Sequence, residues 1–205
     1  MRGLAIVVIG AVLAACGQPT STSGVAAAQQ GGGGEAAYVE ACIARYAAQN
    51  AQARQWAPAQ CAQEWTAVVA ADPIADAILA AVDGAPPRAG RIGSNIDVTV
   101  QGRTVSFGWQ AIGEMIPYDA VGALGQRGAT PTMIGCAQVG VGEFSKAYSV
   151  ASQGRAPFQL NIYERTAPTG DASSIYSASV DLSGRVQTLA QLASDGSDWA
   201  AACAS

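Results

Sequence analysis

Residues 96–109, IDVTVQGRTVSFGW, decide the fold, because the spacing of apolar side chains changes there. Ile96, Val98 and Val100 alternate with polar residues, and beyond Gln101-Gly102 so do Val105, Phe107 and Trp109. A repeat of two places all of them on one side of a pleated surface. A short glycine-containing turn between two such runs reads as a β-hairpin.

Upstream, the repeat is helical. In EAAYVEACIARYAAQN, Tyr38, Cys42, Arg45, Tyr46 and Gln49 share one helix face. In APAQCAQEWTAVVAA, Pro58 suits a first turn, and Cys61, Trp65, Val68 and Val69 share a face. Asp72-Pro73 then reads as a restart, Asp72 as N-cap and Pro73 as the first helical residue, with Ile74, Ile78, Leu79 and Val82 as the stripe. Alanine, the best helix former, is concentrated in this half. DGAPPRAGRIG closes it as a loop.

Downstream of the hairpin, PYDAVGALGQRG reads as a short helix closed by Gly128. TMIGCAQVG, EFSKAYSV, PFQLNIYER and SIYSASVDL then read as strands separated by turn residues, and the final twenty or so residues as a short helix or one more strand. Helices first and strands afterwards predict an α+β fold. An N-terminal helical hairpin and a third helix would pack on a curved antiparallel sheet. Residues 35–84 would form the helical part and 92–205 the sheet part of one globular domain. The element order is similar to that of the nuclear-transport-factor-2-like cone fold, which implies a sheet wrapped around a pocket behind N-terminal helices.

The N-terminus carries an address. Met1-Arg2 precedes GLAIVVIGAVLAA, an uncharged run too short to span a bilayer and suited to a secretory signal over residues 1–15. Leu13-Ala14-Ala15-Cys16 resembles the lipobox of bacterial lipoproteins. That resemblance, confined to residues 1–17, implies cleavage before Cys16 and acylation of its sulfur and amine, giving a stable membrane anchor. Gly17, where an aspartate would signal inner-membrane retention, implies the outer membrane, facing the periplasm. An ordinary signal peptide with an incidental Cys16 is the alternative. Residues 16–34 add Gly, Ser, Thr, Gln and Ala almost without branched apolar residues, which reads as a flexible tether spanning about 23 Å. The four glycines at 31–34 follow no strand, so they do not read as a phosphate loop.

Removing Cys16 leaves Cys42, Cys61, Cys136 and Cys203, an even number in an exported chain. Three pairings are open. The favoured one is Cys42–Cys61 and Cys136–Cys203, because Cys42 and Cys61 each lie on the stripe of a helix in a possible antiparallel pair. A scattered four-thiolate zinc site is the rival, without a C-x2-C pair or any histidine to support it.

Composition narrows the chemistry. Charged residues are 13% and the net charge is −4, which argues against nucleic acid as a partner. Without histidine there is no Ser-His-Asp or Cys-His nucleophile and no histidine metal site. Lys146 is the single lysine, and residue 143 is Glu, so S-x-x-K is absent. No nucleotide loop or EF-hand spacing occurs, and no cofactor or metal is implied. Glu114, Asp119, Glu143 and Glu164 remain as acid–base candidates, read against solvated charges paired with Arg103, Arg127 and Arg165. Trp56, beside Arg54 in an interhelical turn, reads as a contact residue, a sugar-stacking platform or a plain cap of the helix pair. Tyr118, in the connection GEMIPYD, reads as a binding residue or as part of a loop tucked onto the core. The reading that unites these is a membrane-anchored, non-enzymatic binding or assembly module meeting an envelope protein or the cell wall. The alternative is a small-ligand site or carboxylate-based hydrolase within a cone-shaped sheet.

Overall fold

The computed structural model describes residues 34–93, 95–112, 118–165 and 173–203. The stretches read as signal peptide and tether, up to residue 33 and with Cys16 among them, lie outside these residues, as do Glu114, Met115, Ile116 and Pro117.

Helix α1 (Gly34–Gln49) carries Glu35 in its first turn, favourable to the positive end of the helix dipole. Asn50 then caps a short 3-10 helix, Ala51–Gln55, accepting the Gln52 N–H at 2.9 Å. Helix α2 (Ala57–Ala70) returns against α1, with Pro58 in its first turn. Small residues let the two helices approach closely: the alanine methyls of Ala53 and Ala57 are buried with Cys42 and Cys61 in a core of their own. Cys42 and Cys61 are joined as a disulfide with Cα atoms 5.8 Å apart.

Helix α3 (Asp72–Val82) follows with a 46° bend. Its cap is Ala71, not Asp72 as the sequence suggested. The Ala71 N–H still bonds back to Ala67 and Val68, so α2 runs on into the bend and Asp72 is already helical. Its carboxylate is left to meet Arg127 at 2.6 Å. Ile74 and Ile78 are fully buried, as their stripe predicts. Val69 is not on the buried face of α2: it is 45% exposed, because Ala67 and Val68 already fill that side.

Seven antiparallel strands form one open sheet in the order β1-β2-β3-β7-β6-β5-β4. They are β1 (Gly90–Ile92), β2 (Ile96–Gln101), β3 (Thr104–Ile112), β4 (Ala129–Gly140), β5 (Glu143–Ser152), β6 (Phe158–Arg165) and β7 (Ser173–Asp181). The fold is therefore α+β, helices first, as the change of period implies. Strand β1 falls in a stretch that reads as loop. It is short and exposed, has no alternation, and exists by pairing with β2. Gly102, at φ 60°, makes the β2–β3 turn, a conformation that costs other residues a steric penalty. Two register shifts in β4 are bulges, which bend that edge strand.

Helix α4 (Ala120–Gln126) lies between β3 and β4 in the chain. Asp119 caps it by accepting the Gly122 N–H at 2.8 Å, and Gly128, at φ 76°, ends it. Arg127 forks to Asp72 and Asp76, tying α4 to α3. Both helices bury Ile74, Ile78 and Leu124 in one core with Val105, Phe107, Val150, Leu160 and Val180 from the sheet. The opposite face is sealed partly by the C-terminal segment, which holds the short helix α5 (Leu189–Leu192). Cys136 and Ala200 exchange two backbone hydrogen bonds, of 2.7 and 2.8 Å, and Cys136 is joined to Cys203 with Cα atoms 5.2 Å apart. No single helix among the described residues is long and apolar enough to cross a membrane.

The α2–α4 contact gives a stability test. A Cβ at Gly122 would stand 2.6 Å from Val68 Cγ2 and 2.5 Å from Asp119 Oδ2, whereas one at Gly108 meets nothing within 4 Å. In urea denaturation, Gly122→Ala should lower stability by about 1–3 kcal/mol despite its better helix propensity. Gly108→Ala should stay within about 0.5 kcal/mol of the parent.

Candidate functional site

The inner face of the sheet, the one under α3 and α4, is uniform at one end and mixed at the other. Its register aligns Met133, Tyr148, Leu160, Val180 and Val105 in one row. The next row holds Lys146, Ile162, Ala178 and Phe107, and the last holds Phe144, Glu164, Tyr176, Trp109 and Ile96. Leu160, Val180, Val105, Ala178 and Phe107 are sealed from solvent. Phe144, Lys146, Ile162, Glu164 and Tyr176 are half-buried, so the face opens towards this end.

Lys146 and Glu164 form an ion pair there, with side chains 23% and 26% exposed. Both side chains sit in phase with the apolar core residues of their strands, an unusual place for charge. The neighbouring Tyr148 phenol has its pKa pushed up, first by burial and then by the Glu164 and Asp119 carboxylates, so it stays protonated as a donor. The aromatic side of the site is Trp109. Its indole stacks on Tyr176 at 6.0 Å and 9°, and takes the edge of Tyr118 at 5.7 Å. Among the described residues the buried Trp109 Nε1–H has no hydrogen-bond partner, which costs about 1–3 kcal/mol when nothing accepts it.

The structure separates the four acid–base candidates. Glu164 and Asp119 lie on the inner side; Glu143 does not, since it accepts from Tyr163 at 3.0 Å and meets Arg165 at 3.5 Å on the outer face. That Glu143–Arg165 pair is as expected. Arg127 goes instead to Asp72 and Asp76, and Arg103 donates to the Leu182 carbonyl at 2.6 Å. Each inward carboxylate is engaged, Glu164 by Lys146 and Asp119 by the cap of α4. Among the described residues no three Cys, Asp or Glu side chains converge as metal ligands would.

The two aromatic candidates part company. Tyr118 is half-buried on Trp109, so it belongs to the inner-face cluster and not to a free surface. Trp56 is 45% exposed where α1 turns into α2, its ring set edge-on against Tyr46 at 4.9 Å. Behind it, Glu64 accepts from Tyr46 at 2.5 Å and from Arg45 at 2.7 Å. Arg54 is exposed and has no partner among the described residues. Sequence reasoning set Lys146 aside with the absent S-x-x-K motif, and did not mark Tyr148 or Tyr176 as site residues. One signal was available: in EFSKAYSV, Lys146 falls in step with Phe144, Tyr148 and Val150, a charge on the apolar repeat. No protein-family model, curated protein or solved structure matches the chain.

Asp119 predicts a pH effect. Burial is the largest influence and raises its pKa above 3.8, aided by Glu64; the Gly122 and Val121 amides and Arg45 pull the other way. The folded state therefore holds the Asp119 proton more tightly than the unfolded chain. Asp119 lowers stability as pH rises from about 3.8 through its folded value. Asp119→Asn keeps the capping oxygen and removes the titration. Denaturation from acid to neutral pH should show the variant gaining on the parent as pH rises, and a constant difference would contradict this.

Proposed function

We propose that the protein is a lipoprotein of the bacterial envelope, anchored through Cys16 in the outer membrane, which acts on the periplasmic side by binding and not by turnover. The observation that carries the binding part is Trp56, exposed beside Arg54, which has no partner among the described residues, on a helical pair braced by Cys42–Cys61. A large ring held rigidly against Tyr46 loses little entropy on contact, and tryptophan and arginine dominate contact energies. The lipobox and the two cysteine pairs support an exported, oxidised setting. The tether read in the sequence, which ends at residue 33 because Gly34 already begins α1, would let the hairpin reach an envelope protein or the cell wall.

A second reading is favoured by Lys146 and Glu164: a small ligand bound on the sheet's inner face, where an ion pair sits among core positions. Carboxylate-based hydrolysis gains less support, since Asp119 and Glu164 are both occupied.

Two substitutions test the first reading. Cys16→Ser should move the protein out of the membrane fraction or leave it unprocessed, and the parent should label with fatty acid. Trp56→Ala should cut its crosslinking to envelope components in cells severalfold while leaving the thermal midpoint nearly unchanged. Full crosslinking by the Trp56→Ala protein would remove the hairpin tip from the mechanism.

A further inference from the structure

We propose that the open end of the sheet's inner face is a saccharide site, with Tyr176 and Tyr118 as its apolar walls and the Lys146–Glu164 pair as its hydroxyl contacts. The proposal rests on the inner-face reading above and is independent of the anchor and of Trp56.

Charge selects the ligand class. The pair sums to zero, so an anion or cation gains no net attraction and must compete with the existing partner. An acyl chain laid over it would bury two charges with unmet hydrogen-bonding capacity, a heavy penalty. Yet the ammonium has three N–H donors and gives one to Glu164 Oε1, and the carboxylate has a second oxygen. A neutral group that both donates and accepts fits this, and a sugar hydroxyl does both. A pyranose also has apolar C–H faces suited to half-buried aromatic rings such as Tyr176 and Tyr118.

Trp109 supplies an independent pointer. Among the described residues its buried Nε1–H finds no acceptor, in a cluster that touches both tyrosines. A ligand hydroxyl or acetamido oxygen is the type of atom it lacks. Trp109 and Glu164 share one register row with Tyr176 between them, so their backbones lie two strand spacings apart, roughly 9–10 Å. A disaccharide covers that span. Reaching the indole requires Tyr118 to turn off its edge, and among the described residues its side chain is held there by packing on Trp109 and the core, without a hydrogen bond.

The test uses the intact protein in lipid nanodiscs with 15N-labelled tryptophan. The four indole signals are assigned by single Trp→Phe variants. Di-N-acetylchitobiose should shift the Trp109 indole proton downfield and leave that of Trp56 in place. Replacing the pair together, Lys146→Met with Glu164→Leu, removes both charges at once and should weaken binding by about tenfold or more. Tyr176→Leu, which keeps apolar volume but loses the ring, should weaken it too and serves if the double variant does not fold. Laurate and dialanine should leave the Trp109 signal unmoved. If either of them shifts Trp109 and chitobiose does not, the saccharide class is wrong while the inner face remains a ligand site. If none of the three shifts it, the inner-face reading falls as well. A chitobiose shift confined to Trp56 would place the sugar on the hairpin tip and overturn the proposal.

Discussion

The pairing of β3 with β7 joins two pieces that are otherwise local. Strands β1 to β3 form one hairpin system and β4 to β7 one meander, and each closes through neighbours in sequence. Only the register from Thr104↔Asp181 to Ile112↔Ser173 makes them a single sheet. Closing so long a loop costs chain entropy that grows slowly with length. The return comes from burial: Phe107 against Ala178 and Val105 against Val180 sit at the centre of the core, under α3 and α4. The same pairing sets Trp109 beside Tyr176, so the aromatic cluster depends on this seam.

The larger pattern was legible because the change of period is abrupt. Helical stripes at Ile74 and Ile78 and alternation at Phe107 and Leu160 each mark buried faces directly. Local readings failed where a neighbour decides the outcome. Asp72 has a capping side chain, but the continuing bonds of Ala71 place it inside the helix, and Arg127 takes its carboxylate. Val69 has the right spacing, but the α2 surface buried against its neighbours is narrow and is already filled there by Ala67 and Val68. Strand β1 has no pattern of its own and is templated by β2.

The candidate site was less legible than the fold, for a physical reason. Trp56 and Arg54 are local: a tryptophan in a tight turn stays exposed unless something covers it. The inner-face cluster is assembled from β3, β5, β6, β7 and the approach to α4, and its members lie far apart in sequence. Tyr118 reads as a loop residue in isolation, and its role appears only when Trp109 is beside it. Lys146 was the one member with a trace in the sequence, since burying a charge on an apolar repeat demands a partner, here Glu164 two register positions away on β6.

The C-terminal segment explains why the opening is on the inner face. An open sheet leaves edges, and β4 is a long one. Its backbone is met at Cys136 by Ala200, and the Cys136–Cys203 link holds that contact. Leu189 and Trp199 stand over Gly135, where any Cβ would collide with Leu189 at 2.8 Å, so the outer surface there is filled. Gln159, buried on the same side, exchanges hydrogen bonds with Gln187. The segment therefore shields part of the β4 edge and closes this part of the outer face together. On the inner side, α3 and α4 cover the apolar rows and leave the row of Glu164 and Tyr176 half-exposed. Among the described residues, access and polarity thus coincide at one end of the sheet, where Lys146 and Glu164 stay part-exposed beside the sealed apolar rows.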